Sequence, residues 1–275
     1  MKLTFPTDRI NEVLKNKTYD SYHLNKEVLD EVGFFVLREG IPKDRANFYY
    51  EKFKEKYDVG EIAKSKFHNT EVAVLGIEIF EQLKYEQKLK QIWPHFFNGV
   101  VGNDFIRILI KNEEHIKPVF LHQDIGYQCG GEEQYSFFTA LSHTYESNGG
   151  LQLFPGTHKL GYLGDVGEIN RANLPSDLPI CSPELFPGDI LIMHSATWHC
   201  SSVNKAKTER IYIETHIISG NSPYCKNLIF GKSTNESRAD LDISKREMDK
   251  FFINSRSSRL KKAEIALSKL NSTTK

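Results

Sequence analysis

The chain has 275 residues, 39% hydrophobic and 26% charged, a length and balance that indicate one large globular domain with a full core. Lys+Arg and Asp+Glu stand equal at 36 each, so the formal net charge of zero offers no basic footprint for nucleic acid or an anionic membrane. The start, Met1 to Arg9, lacks the apolar core of a secretion signal, no apolar run reaches the roughly 18 residues of a membrane span, and the four cysteines (Cys129, Cys181, Cys200, Cys225) form no Cys-x-x-Cys pair, which suits free thiols in a cytoplasmic protein.

In chain order, Leu24 to Val32 predicts a short helix, and Gly33 then breaks into Phe34-Phe-Val-Leu37, a strand. Pro42 to Tyr57 predicts a helix with its proline in the first turn, ended by Gly60. Between Ile77 and Phe97 the residues Ile79, Leu83, Leu89 and Ile92 are spaced for one apolar helical face. Residues 1–100 are therefore expected to be mostly helical support with at least one strand. From about Val101 the texture changes. Short β-prone runs (Phe105–Ile110, Val119–His122, Tyr135–Leu141, Leu151–Phe154, Ile190–Met193 and Arg210–Ile218) alternate with turn markers such as Pro155-Gly156 and Pro187-Gly188-Asp189. No helix of crossover length separates them, which excludes a parallel βαβ sheet and predicts a sandwich or barrel over 101–220. Residues 221–275 read as a loop to about Asp242. A capping box at Ser244-x-x-Glu247 then opens a helical tail carrying Phe251, Phe252, Leu260, Ile265, Leu267 and Leu270. That helix is expected to pack on the outside of the β core, with a homodimer contact as the alternative.

The chemistry centres on His122-Gln123-Asp124, at the end of an apolar, β-prone run. On a strand, positions i and i+2 share a face, so His122 and Asp124 can offer an imidazole and a carboxylate to one point. Two histidines and a carboxylate that leave neighbouring positions open are the ligand set of non-haem Fe(II) oxygenases. A second informative stretch runs from Pro187 to Asn204 and holds His199-Cys-Ser201. His199 is the expected third ligand, with His194 and His216 as competitors. Arg210 opens the alternating run Arg-Ile-Tyr-Ile-Glu-Thr-His216 and can grip a carboxylate by charge-assisted contact; the rival reading pairs it with a carboxylate such as Glu214.

Taken together, His122-Gln-Asp124, Asn148-Gly-Gly-Leu-Gln-Leu-Phe-Pro-Gly-Thr-His-Lys159, Pro187-Gly-Asp189, and His199-x-Ser with Asn204 and Arg210 resemble the phytanoyl-CoA dioxygenase family of Fe(II)/2-oxoglutarate-dependent oxygenases. Asp30 to Gly40 resembles that family's opening. The combination is far more specific than any one motif. The resemblance implies a mainly β fold with flanking helices: a double-stranded β-helix (jelly-roll, cupin-like) core, an N-terminal helical region and a C-terminal helix. It implies iron on His122, Asp124 and His199, and the far carboxylate of 2-oxoglutarate on Arg210. Gln123 and Ser201 match positions of further cosubstrate contacts, and Lys64, Lys66 and Lys111 are candidates for an upstream one.

The implied reaction consumes O2 and 2-oxoglutarate, releases succinate and carbon dioxide, and oxidises an aliphatic C–H of a small or carrier-linked metabolite. Asp124 argues against a halogenase, which needs a small residue there. Hydroxylation, desaturation and epimerisation stay open. Arg107, Tyr127, Tyr135 and Trp198 are the expected substrate contacts. Two other readings are a cupin-like metal enzyme without 2-oxoglutarate, which leaves Arg210 and Asn148–Lys159 unexplained, and a non-catalytic jelly-roll scaffold, which would be expected to have lost a ligand.

Overall fold

A computed structural model describes residues 7–61, 63–67, 70–74, 78–114, 116–126, 133–161, 178–222, 224–225 and 227–234. Its helices are α1 (Thr7–Lys15), α2 (Lys26–Val32), α3 (Lys43–Asp58), α4 (Glu78–Glu81) and α5 (Gln87–Ile92). Its strands are β1 (Asp20–Ser21), β2 (Phe34–Leu37), β3 (Ala63–Phe67), β4 (Thr70–Val74), β5 (Val101–Lys111), β6 (Val119–His122), β7 (Tyr135–Ala140), β8 (Leu151–Leu153), β9 (Ile190–His194), β10 (His199–Ser201), β11 (Arg210–Ser219) and β12 (Asn227–Phe230). One sheet has nine strands in the order β1-β2-β9-β7-β11-β5-β4-β3, with β12 also on β5, and a second has three in the order β6-β10-β8.

Strand alternation sets the layers. Ile106, Ile108 and Ile110 of β5, Phe137 of β7, Ile190 and Ile192 of β9, and Ile211 and Ile213 of β11 face the helices. There they pack against Tyr49, Phe53, Phe80, Leu83, Leu89 and Trp93. The intervening residues Phe138, Ala140, Leu191, Met193 and Tyr212 face the other way and pack against Leu151 and Leu153 of the small sheet. Helices, large sheet and small sheet thus form three layers. The two sheets face each other as in a jelly-roll and do not close into a barrel.

The helical expectations hold at α2 and α3. Asn25 caps α2 by accepting the Val28 amide at 3.2 Å, and Gly33 ends it at φ +85°, donating to Leu29 O at 2.8 Å. Within the stretch from Ile77 to Phe97, the described residues 78–97 do not form one helix. Glu86 is extended at ψ 145°, and the break turns its carboxylate to the Arg45 Nε and the Tyr49 hydroxyl, both at 2.8 Å. Leu83, Leu89 and Ile92 are nonetheless buried, because short turns present the same apolar face. The first hundred residues also supply four strands of the large sheet, more than their composition suggested. β12 likewise lies in a stretch that reads as loop. The capping box at Ser244–Glu247 and the helical tail, with its homodimer alternative, lie outside the described residues. Among the described residues no helix is long and apolar enough to cross a membrane.

Candidate metal centre

β6 and β10 pair antiparallel with His199 directly opposite His122. Their rings lie 4.2 Å apart between centroids. After β6 the chain bends into a turn of 3-10 helix over Asp124–Gly126, because the amides of Asp124 and Ile125 both donate to Ser195 O, at 2.9 and 3.0 Å. The bend brings Asp124 Oδ1 to 3.4 Å from His122 Nε2 and Asp124 Oδ2 to 3.7 Å from His199 Nε2. Two ligands about 2.1 Å from one ion at a right angle stand about 3 Å apart, so this spacing fits a shared ion.

The outer ring nitrogens are already committed. His122 Nδ1 donates to Phe120 O at 2.7 Å and His199 Nδ1 to Thr197 O at 2.9 Å. That fixes both rings and leaves each Nε2 aimed inward, the nitrogen by which such an imidazole binds a metal. All three side chains are buried, and their ligand atoms lie within 4.8 Å of one another. Burial pushes the Asp124 carboxyl up, but the His199 and His122 imidazoles, and then Arg107, outweigh it and hold the group below the ordinary carboxylate range. The site therefore presents an anionic oxygen to a cation.

Arg210 opens β11 on the face toward the small sheet and is 2% exposed. Nη1 donates to Gly149 O at 3.3 Å, and the guanidinium stacks 4.7 Å above the Tyr212 ring. Nε and Nη2 are buried without a hydrogen-bond partner. Among the described residues no carboxylate pairs with Arg210; Glu214 instead takes Arg107 Nε at 2.6 Å and the Ser136 hydroxyl at 3.0 Å. A guanidinium is seldom buried unpaired, so these orphaned donors fit an incoming carboxylate. The Ser201 hydroxyl, which shares strand parity with His199, is also buried without a partner.

Other expected residues are placed differently. The Gln123 amide nitrogen donates to Ala196 O at 2.6 Å and Gly161 O at 2.8 Å, which ties two loops together. Trp198 packs with Phe154 and Cys200 on the face of β10 away from His199. Tyr135 lies on the helix-facing side of β7, where its hydroxyl donates to Glu133 at 3.0 Å. For Trp198 and Tyr135 core packing replaces the expected substrate contact. Arg107 does face the small sheet and is near enough to lower the Asp124 carboxyl. Tyr127 lies outside the described residues, as do Cys129 and His115, and of the Lys64 and Lys66 side chains nothing is described.

Of the competing histidines, His194 accepts from the Ala196 amide at 3.1 Å through Nδ1. Burial, with His158 and Lys26, pushes it down to about 3. His216 stacks on Phe105 at 4.8 Å between ring centroids. Glu214 as the anchor of Arg107 escaped sequence reasoning. Alternation could place Arg210 and Glu214 on one face of β11, but the β5 register that sets Glu214 opposite Arg107 has no local signature.

Comparison with known proteins bears on this geometry. The sequence model of the family described as phytanoyl-CoA dioxygenase (PhyH) matches residues 31–212. A probable phytanoyl-CoA dioxygenase of Caenorhabditis elegans is 23% identical over 263 residues, covering 80% of this chain and 82% of that protein. Among solved structures, the fold resembles the epimerase SnoN in complex with Fe3+, alpha ketoglutarate and nogalamycin RO, with TM-score 0.63 and 14% identity over 71% of this chain and 82% of that one. It also resembles EctD from S. alaskensis in its apoform, with TM-score 0.59 and 17% identity over 72% and 78% of the two chains.

Proposed function

The chain belongs to the phytanoyl-CoA dioxygenase family and is a 2-oxoglutarate-dependent non-haem iron oxygenase, and from that premise we propose that it hydroxylates an aliphatic C–H of a small or carrier-linked metabolite. In this reading His122, Asp124 and His199 hold the iron, and Arg210 with Ser201 receives the far carboxylate of 2-oxoglutarate. The observation that carries it is the pairing of a buried two-histidine, one-carboxylate cluster with a buried guanidinium that has orphaned donors. A cupin-like metal enzyme without 2-oxoglutarate would need only the first of these.

When bound, Fe(II) and 2-oxoglutarate supply the oxidising power from O2, and the cosubstrate leaves as succinate and carbon dioxide. The protein's own residues supply ligands, orientation and dryness. Phe120 and Thr197 carbonyls hold the two imidazoles in one tautomer and one direction. Asp124 stays ionised and contributes the negative charge that a divalent cation needs. Arg210 would hold the far carboxylate of the cosubstrate and so orient it. The burial of all three ligands excludes bulk water from the reacting face. Arg107, anchored by Glu214, faces the same interior and is the remaining candidate for a substrate contact among the described residues.

Succinate formation with Fe(II), ascorbate, O2 and 2-oxoglutarate, without added substrate, tests this reading. The wild type is expected to turn the cosubstrate over slowly, and His199→Ala and Asp124→Ala at least about tenfold more slowly. Equal succinate formation by all three proteins would remove the proposed ligands from the chemistry.

A further inference from the structure

The large sheet carries a second buried cation beside the first. Lys111 ends β5, stands opposite Arg210 in the β5–β11 register, and is 0% exposed. Its ammonium donates to Ser202 O at 2.7 Å. Both cations lie against one turn: Arg210 donates to Gly149 O at 3.3 Å, and a Cβ at Gly149 would meet Lys111 Cδ at 2.6 Å and Nζ at 3.2 Å. Gly149, at φ +85°, therefore leaves the room that the lysine side chain occupies.

Two cations in one dry place repel, and each has given up its hydration. Lys111 meets Arg210 from β11, the Ser202 carbonyl and Gly149 from the turn, with the Cys200 thiol of β10 near enough to bear on its charge; no carboxylate among the described residues offsets the pair. Burial, and then the Arg210 charge, push the Lys111 ammonium down to about 7, with Cys200 opposing weakly. A lysine can answer such a field by giving up its proton, whereas an arginine cannot.

We propose that Lys111, one of the lysines that the family resemblance offers as a cosubstrate contact, takes up a proton from solvent when the far carboxylate of 2-oxoglutarate arrives beside Arg210. The inference rests on the assignment of Arg210 made above. The carboxylate supplies the counter-charge that the pair lacks, so the Nζ lone pair accepts a proton and the ammonium is retained while the cosubstrate is bound. At a pH well above about 7 the empty protein carries Lys111 neutral, and each binding event consumes a proton; below that pH the proton is already in place and none is consumed.

The test is calorimetry of 2-oxoglutarate binding to the anaerobic Fe(II)-loaded protein, in buffers of different ionisation enthalpy, at pH 6 and pH 8. The wild type is expected to take up close to about one proton at pH 8 and almost none at pH 6, with affinity falling toward about tenfold per pH unit between. Lys111→Met and Lys111→Arg are expected to bind with no such uptake, the first because it has no proton to gain and the second because it never loses one. A proton count at pH 8 that is the same in wild type and both variants overturns the role of Lys111 and leaves Arg210 untouched. Absence of any binding heat in the wild type at either pH overturns the Arg210 assignment and this proposal with it.

Discussion

At the scale of single residues the site is built by commitment of atoms. Each histidine gives its Nδ1 proton to a backbone carbonyl two residues earlier, Phe120 for His122 and Thr197 for His199. One local bond thus decides the tautomer and direction of each ring. Arg210 shows the reverse: a guanidinium with donors left over marks where a ligand belongs. Arg210→Ala should weaken 2-oxoglutarate binding by about 10- to 100-fold, the worth of one or two charge-assisted hydrogen bonds, while leaving Fe(II) affinity unchanged in a competition titration. For Asp124 the sign with pH is fixed by the direction of its shift. Its folded carboxyl titrates below the unfolded one, so it contributes stability above the ordinary carboxylate range of about 4, and that contribution drains away as pH falls through the acid range. Denaturant melts of metal-free wild type and Asp124→Asn should accordingly converge as pH is lowered from 5 toward 2. A gap that stays constant would contradict the assigned cause.

At the scale of elements, register does what sequence spacing could not. His122 and Asp124 were legible together from their spacing, although the turn after β6, and not strand alternation, brings the carboxylate to the ring. Arg210 was legible because it opens a strand of clear alternation. His199 as neighbour of His122 depends on β6 and β10 lying side by side, and β10 is only three residues long, too short to announce itself by periodicity. The same limit explains Trp198 and Tyr135. Tyr135 sits next in sequence to Ser136, and Trp198 next to His199, which face the space between the sheets, and only the placement of each strand shows that the aromatic residues point away. The hairpin β3–β4 escaped for a different reason: Ala-Lys-Ser-Lys-Phe of β3 has little β-prone character, and it is held by pairing to β4, which in turn pairs to β5. The Asn148-Gly-Gly150 segment reads as a turn, and the structure adds a specific demand at its centre. Gly149→Ala would force a side chain into a left-handed position and against Lys111, so it should cost about 2 kcal/mol in thermal or chemical denaturation and should also weaken cosubstrate binding.

At the scale of the whole molecule two cores serve one site from opposite sides of the large sheet. The core between sheet and helices holds Trp93, Phe137 and Ile192, and the core between the sheets holds Phe138, Leu153 and Met193. Leu153 stands opposite His199 on the small sheet, so truncation there disturbs the strand that carries a ligand. Trp93→Ala and Leu153→Ala should each lose about 2–5 kcal/mol of stability. Leu153→Ala should in addition lower metal affinity in the fraction that remains folded, and Trp93→Ala should not. The fold class was readable because alternation, turn residues and the lack of crossover helices all point to facing antiparallel sheets. The three-layer order was not, because it depends on which face each strand turns to the helices. The central claim is that the His122–Asp124–His199 cluster and Arg210 act together on one chelated cosubstrate. It is tested most directly by adding 2-oxoglutarate to the anaerobic Fe(II) protein and recording the visible metal-to-ligand charge-transfer absorption. A band in the wild type that is lost in His199→Ala and weakened in Arg210→Ala is the predicted result; a protein that binds Fe(II) tightly yet develops no band at saturating 2-oxoglutarate would contradict it.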